Sequence, residues 1–442
     1  MMNMLFSVLL LFLIFFSFIF NFFQFYFFFF CLICFYSLLL GDFMWDFVVL
    51  SHKGFYLDNL SFLLMFMSFI ILNFLFLIES KNFWNKNYFL YIVMLYCLMN
   101  CLMMNKMLLF YLFFEFSLVP LIFLIWLEGS SFDRFISVVY LLIYTLLGSL
   151  FFLLYVLFSK KYLIYFSLNK NMMFFKIDSL IFCIMLMIFL VKMPMWGVHY
   201  WLPKAHVESP VQGSMILASV FLKLGGFGLC RMFYMVNLYK IKMFFYFIIV
   251  VSLLGGVLSY LICLRQLDLK LMIAYSSVAH MGLLLAGLFS FSKLGLVGVI
   301  LMMLGHGYSS SAMFYMANFF YERVNTRNSF LMRGVGYYFI VFSGFWLLIN
   351  LINMGVPPFL NFFSELFLIF SILNNCIFLF IFIFFFLVLS VWCGLNLFIR
   401  LAHGSSWKFF NLNSESFLDY FIVSGHLSFL IFFILKMSCL GV

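Results

Sequence analysis

The sequence predicts an all-α polytopic membrane protein of about fourteen transmembrane helices, and three observations carry that reading. The 442 residues are 68% hydrophobic and only 9% charged, with a mean hydropathy of +1.22. A soluble fold of this length needs far more polar residues to cover its surface. Apolar runs of the ~20 residues a bilayer requires recur along the whole chain, which excludes a soluble domain carrying one anchor. Two runs are interrupted by proline, at "VKMPMWG" (Val191 to Gly197) and at "NMGVPPFLNFFSEL" (Asn353 to Leu366).

In chain order, residues 4–20 and 22–40 read as a first pair of spans parted near Asn21. The opening run lacks a basic flank and a small-residue cleavage site, so it reads as a first helix rather than a removed signal. "GDFMWDFVVLSHKGFYLD" reads as an interfacial loop, after which spans follow at 57–78, 88–105, 107–127 and 134–159. A polar stretch with Lys160, Lys161, Lys170 and Lys176 closes this block. The later spans fall at 178–200, 211–231, 243–263, 270–290, 294–320, 337–370, 376–400 and 417–438.

Pro194 in the first interruption, and Pro357 and Pro358 in the second, each remove an amide and crowd the preceding turn. A helix inside a membrane breaks there, and the freed carbonyls must face protein or water. Paired broken helices in two halves of a chain point to a transport site. On that basis the chain divides into N-terminal helices at 1–87, a first five-helix repeat at 88–231, a second at 232–400, and a C-terminal helix at 401–442.

The formal charge of +10 comes from lysines and arginines standing singly between apolar runs, so they read as loop and interface anchors and exclude a nucleic-acid partner. They divide almost equally between the two sides, and the positive-inside rule therefore gives no orientation. Ten cysteines are scattered through apolar segments, where they read as small buried hydrophobes. No spacing matches a structural zinc or an iron–sulfur site. Phe occurs 73 times and Pro 6, a skew that resembles translation of an AT-rich organellar gene.

Against this background, six ionisable residues inside the spans need a reason. Glu115 sits in mid-span without a charged neighbour in sequence, where a charge costs ~2.5–3.5 kcal/mol on insertion scales. Lys192 lies two residues before the Pro194 break. Lys223 lies ~18 Å along its helix from Val211, and Gly225, Gly226 and Gly228 beside it leave room for another helix or for water. His280 has Ser276 one turn before it, His306 stands between two glycines ahead of three serines, and Glu365 follows the Pro-Pro break. Such a series reads as a proton path, with serines beside it able to hold bridging water. Two charges ~8 Å apart at an effective dielectric of ~20 interact by roughly 2 kcal/mol. Moving one charge through 100 mV involves ~2.3 kcal/mol, so making and parting such a pair is able to decide whether a proton is held or passed on.

The stretches "VKMPMWGVHYWLPKAHVESPVQGSMILASVFLKLGGFG", "RQLDLKLMIAYSSVAHMG", "LGHGYSSSAMF" and "GVPPFLNFFSEL" together resemble the antiporter-like subunits of mitochondrial complex I, its subunit 4 family above all, which belong with the Mrp-type cation antiporter subunits. The resemblance covers residues ~105–370, while the ends match only in hydropathy. It implies two inverted repeats in the inner mitochondrial membrane and proton transfer through Glu115, Lys192, Lys223, His280, His306 and Glu365. Ser209 and Gln212 depart from the family wording without touching that path. The resemblance also implies neighbouring antiporter-like subunits as partners, with membrane lipids and protons. It implies no cofactor or metal in this chain, because flavin mononucleotide, iron–sulfur clusters, NADH and ubiquinone belong to other subunits. The segment "HYWLPKAHVESP" then reads as a polar crossing loop, with Lys204, His206 and Glu208 as anchors or proton-uptake groups. The alternative is an independent Mrp-like Na+/H+ antiporter subunit, which would share nearly all this intramembrane chemistry.

Overall fold

The computed structural model describes residues 50–52, 55–79, 87–129, 133–158, 179–233, 242–404 and 415–435. The predicted spans at 4–20 and 22–40 and the lysine-rich stretch at 160–176 lie outside them. A short antiparallel hairpin, β1 (Leu50–His52) and β2 (Phe55–Leu57), stands where the sequence predicted an interfacial loop. The elements described after it are all helices. The first helices are α1 (Asn59–Glu79), α2 (Asn87–Met103), α3 (Met107–Phe116), α4 (Leu118–Glu128) and α5 (Arg134–Phe158). They are followed by α6 (Ser179–Lys192), α7 (Trp201–Glu208), α8 (Val211–Ile216), a π-helical turn at Leu217–Phe221, and α9 (Leu222–Phe233). The remainder comprises α10 (Lys242–Arg265), α11 (Leu269–Phe289), α12 (Lys293–Val324), α13 (Val335–Tyr338), α14 (Ile340–Asn353), α15 (Leu360–Asn375), α16 (Phe380–Ala402) and α17 (Phe417–Leu435).

Eight helical stretches among the described residues are long and apolar enough to cross a membrane, and shorter apolar helices accompany them. Several predicted boundaries change for local reasons. The span predicted at 107–127 divides at Ser117, because Pro120 has no amide for the carbonyl one turn back. The span predicted at 337–370 resolves into α13, α14 and α15. The segment read as a polar crossing loop is instead the helix α7, whose Pro203 falls in the first turn, where a missing N–H breaks no bond. At about 48 Å, α12 is longer than the ~30 Å hydrocarbon core.

Burial sorts these helices into an inner and an outer set. The most apolar window of α8 through α9 is 100% buried and that of α11 is 89%, whereas α5 is 33% and α16 39% buried. The outer helices turn large apolar side chains outward, such as Leu147 and Leu154 on α5 and Phe384, Phe385 and Trp392 on α16. In a bilayer such side chains meet lipid tails and need no further cover. The ionisable residues singled out above lie on α3, α6, α9, α11, α12 and α15.

Two ion pairs tie the bundle together away from them, the first buried on both sides and the second half-buried at its carboxylate. Arg231, at the end of α9, faces Asp58 before α1 at 3.6 Å and donates to the carbonyls of Met104 at 2.8 Å and Leu102 at 3.2 Å. Arg323 on α12 faces Asp419 on α17 at 3.8 Å, and Tyr315 donates to the same carboxylate at 2.7 Å. Removing one partner of such a pair strands the other charge in a dry site. Arg231→Met is expected to lower stability by ~3–5 kcal/mol, read as a lower Tm. An unchanged Tm would show that water solvates the Asp58 carboxylate.

Candidate functional site

In the first half of the chain, the break at Ser117 follows Glu115 by two residues, and the break at Pro194 follows Lys192 by two. Packing brings these two helix ends together. Lys192 Nζ lies 3.5 Å from Glu115 Oε1, donates to the Phe114 carbonyl at 3.3 Å, and sits 2.9 Å from the centroid of the Phe114 ring. Lys192 is buried, and Glu115 Oε1 has no hydrogen-bond partner of its own. The carboxylate is therefore held by charge rather than by a hydrogen bond to that oxygen. A small cavity lined by Lys192, Leu118, Thr145, Trp201, Leu217 and Phe221 adjoins the pair.

The break that frames Lys192 follows from one missing hydrogen. Pro194 cannot donate to Leu190, so Met195 N–H reaches back five residues to the Leu190 carbonyl at 3.2 Å. That leaves the Val191 carbonyl, which Met195 would serve in a regular helix. The indole of Trp201 donates to it at 3.0 Å. The first turn of α7 thus caps the end of α6, and a buried carbonyl is satisfied as it must be away from water.

In the second half, four predicted residues meet in series. Lys223 Nζ hydrogen-bonds His306 Nδ1 at 2.8 Å and donates to the carbonyl of Ala218. Ala218 belongs to the π-helical turn, where the widened backbone presents a carbonyl to this side chain; such turns recur at functional sites. The rings of His306 and His280 lie 5.5 Å apart between centroids, inclined at 52°. His280 Nε2 hydrogen-bonds Tyr260 Oη at 3.1 Å, and its Nδ1 faces Glu365 Oε1 at 3.7 Å. Only the Lys223–His306 contact is a direct hydrogen bond along this series. The other steps are short enough for a ring rotation or one water.

Glu365 reaches this position because α14 stops on a glycine. Val356 N–H bonds the Leu351 carbonyl and Gly355 N–H bonds the Ile352 carbonyl, both at 3.2 Å. With Gly355 at φ +69° this is a Schellman cap, followed at once by proline. A Cβ on Gly355 would fall 2.5 Å from Glu365 Oε2. Gly355→Ala is therefore expected to strain the cap and push the carboxylate away from His280. Coupled turnover should fall about tenfold, which is ~1.4 kcal/mol of barrier, with assembly retained. Wild-type turnover in that variant would show that the Glu365 position is not critical.

All six predicted residues thus fall into two groups, Glu115–Lys192 and Lys223–His306–His280–Glu365. What joins the groups is Gly225, where a Cβ would fall 3.3 Å from Lys192 Cβ and 2.7 Å from Met193 Cγ. The glycines beside Lys223 therefore admit neighbouring helices, with Gly226 against Met303 and Gly228 against Phe189. The serines read as water holders bond their own helix instead: Ser276 donates to Ile273, and Ser309, Ser310 and Ser311 donate to carbonyls three residues back. Ser276 is not the partner of His280; Tyr260 is. His206 is fully buried and stacked on Phe314 with ring centroids 4.6 Å apart, and neither ring nitrogen has a hydrogen-bond partner.

Sequence reasoning missed Tyr260, Trp201, Gly355 and the Ala218 carbonyl. Gly355 was findable, since a glycine two residues before Pro357 marks a helix stop. The π-helical turn left no sequence signal. Among the described residues, no group of three or more His, Cys, Asp or Glu side chains is placed to hold a metal ion.

The family described as "NADH:quinone oxidoreductase/Mrp antiporter, TM" matches residues 104–390, which include both breaks and all six residues. The chain belongs to this family. It is 40% identical over 403 residues to NADH-ubiquinone oxidoreductase chain 4 of Ceratitis capitata, covering 89% of each chain. It is 36% identical over 418 residues to the chain 4 protein of Rhipicephalus sanguineus, covering 92% of this chain and 94% of that one. Among solved structures, a chain of respiratory complex I from Thermus thermophilus with bound NADH shares the fold with a TM-score of 0.78 at 20% identity. That match covers 86% of this chain and 82% of the other. A chain of the Mrp complex from Dietzia sp. DQ12-45-1b gives 0.71 at 17% identity, covering 84% and 74%.

Proposed function

We propose that this family member is an antiporter-like membrane-arm subunit of NADH:ubiquinone oxidoreductase in the inner mitochondrial membrane, and that it carries protons along Glu115, Lys192, Lys223, His306, His280 and Glu365. The observation that supports the reading is the close series from Lys223 through His306 and His280 to Glu365. Packing alone gives no reason to bury a lysine, two histidines and a carboxyl in one series. Each group is able to bind and release a proton, and within Glu115–Lys192 and within Lys223–His306–His280–Glu365 each neighbour lies within the reach of a small side-chain movement.

In this reading the two broken helices belong to two inverted repeats at 88–231 and 232–400. Each break lets a charged side chain stand where an intact helix would bring only apolar ones. Glu115 and Lys192 hold a charge pair whose attraction at 3.5 Å is about 5 kcal/mol at an effective dielectric of ~20, before desolvation is counted. That exceeds the ~2.3 kcal/mol of moving one charge through 100 mV. Opening and closing the pair is therefore large enough to gate a proton on Lys223. Flavin, iron–sulfur clusters, the nicotinamide and the quinone sit in other subunits, and neighbouring antiporter-like subunits flank this chain.

The reading as an independent Na+/H+ antiporter subunit is weaker, since the relatives described above are named for the oxidoreductase. The test is the Lys223→Ala variant of the purified complex in proteoliposomes. The chain should co-purify with NADH-oxidising activity, and the variant should show a lower proton-to-electron ratio, with electron transfer to artificial acceptors retained. An unaltered ratio would remove Lys223 from the path. Purification apart from NADH oxidation, with Na+-dependent proton movement, would favour the antiporter.

A further inference from the structure

Two buried sulfurs stand beside the proton path without belonging to it. Cys263, near the end of α10, and Cys393, on α16, bring their Sγ atoms to 2.7 Å although 130 residues separate them. Both are buried, at 0% and 1% exposure. The Cys263 thiol also reaches the Met272 carbonyl at 3.2 Å, so its proton has an acceptor other than Cys393. The two thiols come from different helices and face one another inside the bundle. Neither the proton path nor the hydrophobic packing requires this pairing.

We infer that Cys263 and Cys393 form a disulfide when the protein meets a hydroperoxide, and that the bond staples α10 to α16. The oxidant is a small neutral hydroperoxide such as hydrogen peroxide, which reaches the pair through lipid beside the outward-facing α16. One sulfur attacks the peroxide oxygen, the O–O bond breaks, and a sulfenic acid and one water form. The second sulfur then attacks the sulfenic sulfur, and its proton leaves with the displaced hydroxide as a second water. Two thiols and one peroxide thus give one disulfide and two waters, with the peroxide reduced by two electrons.

The staple would lie where the second half of the path is held. Tyr260, three residues before Cys263, bonds His280. Gly394, next to Cys393, packs so tightly on the second helix break that a Cβ there would fall 2.5 Å from Met354 Cγ. A bond at 263–393 joins the helix that orients His280 to the helix against which the break rests.

Differential alkylation of the intact purified complex tests this. Samples treated with hydrogen peroxide are denatured in iodoacetamide, reduced, labelled with N-ethylmaleimide and digested for mass spectrometry. Cys263 and Cys393 are expected to pass together and in equal measure from the first label to the second, and the unreduced digest should contain one linked peptide pair. Cys393→Ser should abolish the linked peptide, while the buried Cys230 keeps the first label throughout. The inference is overturned if both cysteines keep the first label at peroxide doses that oxidise the half-buried Cys376. It is equally overturned if they oxidise independently, with no linked peptide. Neither result depends on whether protons follow the proposed path.

Discussion

Glu365→Gln is expected to stop proton transfer through the second half of the chain while leaving the fold intact. Glutamine is nearly isosteric and keeps hydrogen-bonding capacity, but it cannot bind and release a proton. Glu365 is buried, it stands 3.7 Å from His280, and its Oε1 has no other partner. Among the described residues, Glu365 is the carboxyl placed to receive a proton from His280 Nδ1. A positioned acid–base group contributes ~10²–10⁴-fold to a proton-transfer step, so coupled NADH oxidation should fall about a hundredfold at the low end of that range. Glu365→Asp should keep part of the activity, because the shorter arm lengthens a gap that one water is able to bridge. The measurement is the proton-to-electron ratio in proteoliposomes, with Tm as the check on folding. An unaltered ratio in the glutamine variant would make Glu365 structural and place proton release elsewhere.

Lys192→Ala should have an effect of the same order at the other end of the path. The substitution removes the cation 3.5 Å from Glu115, the hydrogen bond to the Phe114 carbonyl, and the contact with the Phe114 ring. With them goes an attraction of about 5 kcal/mol at an effective dielectric of ~20. Coupled NADH oxidation and pumping should fall together, while electron transfer to artificial acceptors survives, since no redox group depends on Lys192. Trp201 still caps the Val191 carbonyl in the variant, so the break itself should persist. Normal pumping would detach Glu115 from the path. Stability should fall as well, because the alanine leaves Glu115 inside the span without its cation, so Tm is read alongside turnover.

The sequence by itself determined the membrane class, most of the helices among the described residues, the two proline breaks, and which six intramembrane ionisable residues needed a reason. The physical reason is that a bilayer punishes charge so strongly that each exception stands out in a one-dimensional string. Hydropathy gave no such warning at Ser117 or at the π-helical turn of Leu217–Phe221, because both lie inside runs that remain apolar throughout. Only the tertiary structure decided which residues meet. Gly225 reads in the sequence as room for another helix or for water, and the structure fills that room with the Lys192 break. Ser276 looks like the partner of His280 by helical spacing, yet its hydroxyl is taken by its own backbone, and Tyr260 from the neighbouring helix takes its place. Helical periodicity governs what stands one turn away on the same helix. Contacts such as Lys223 with His306, 83 residues apart, depend on how close two backbones approach, which the packed bundle alone sets.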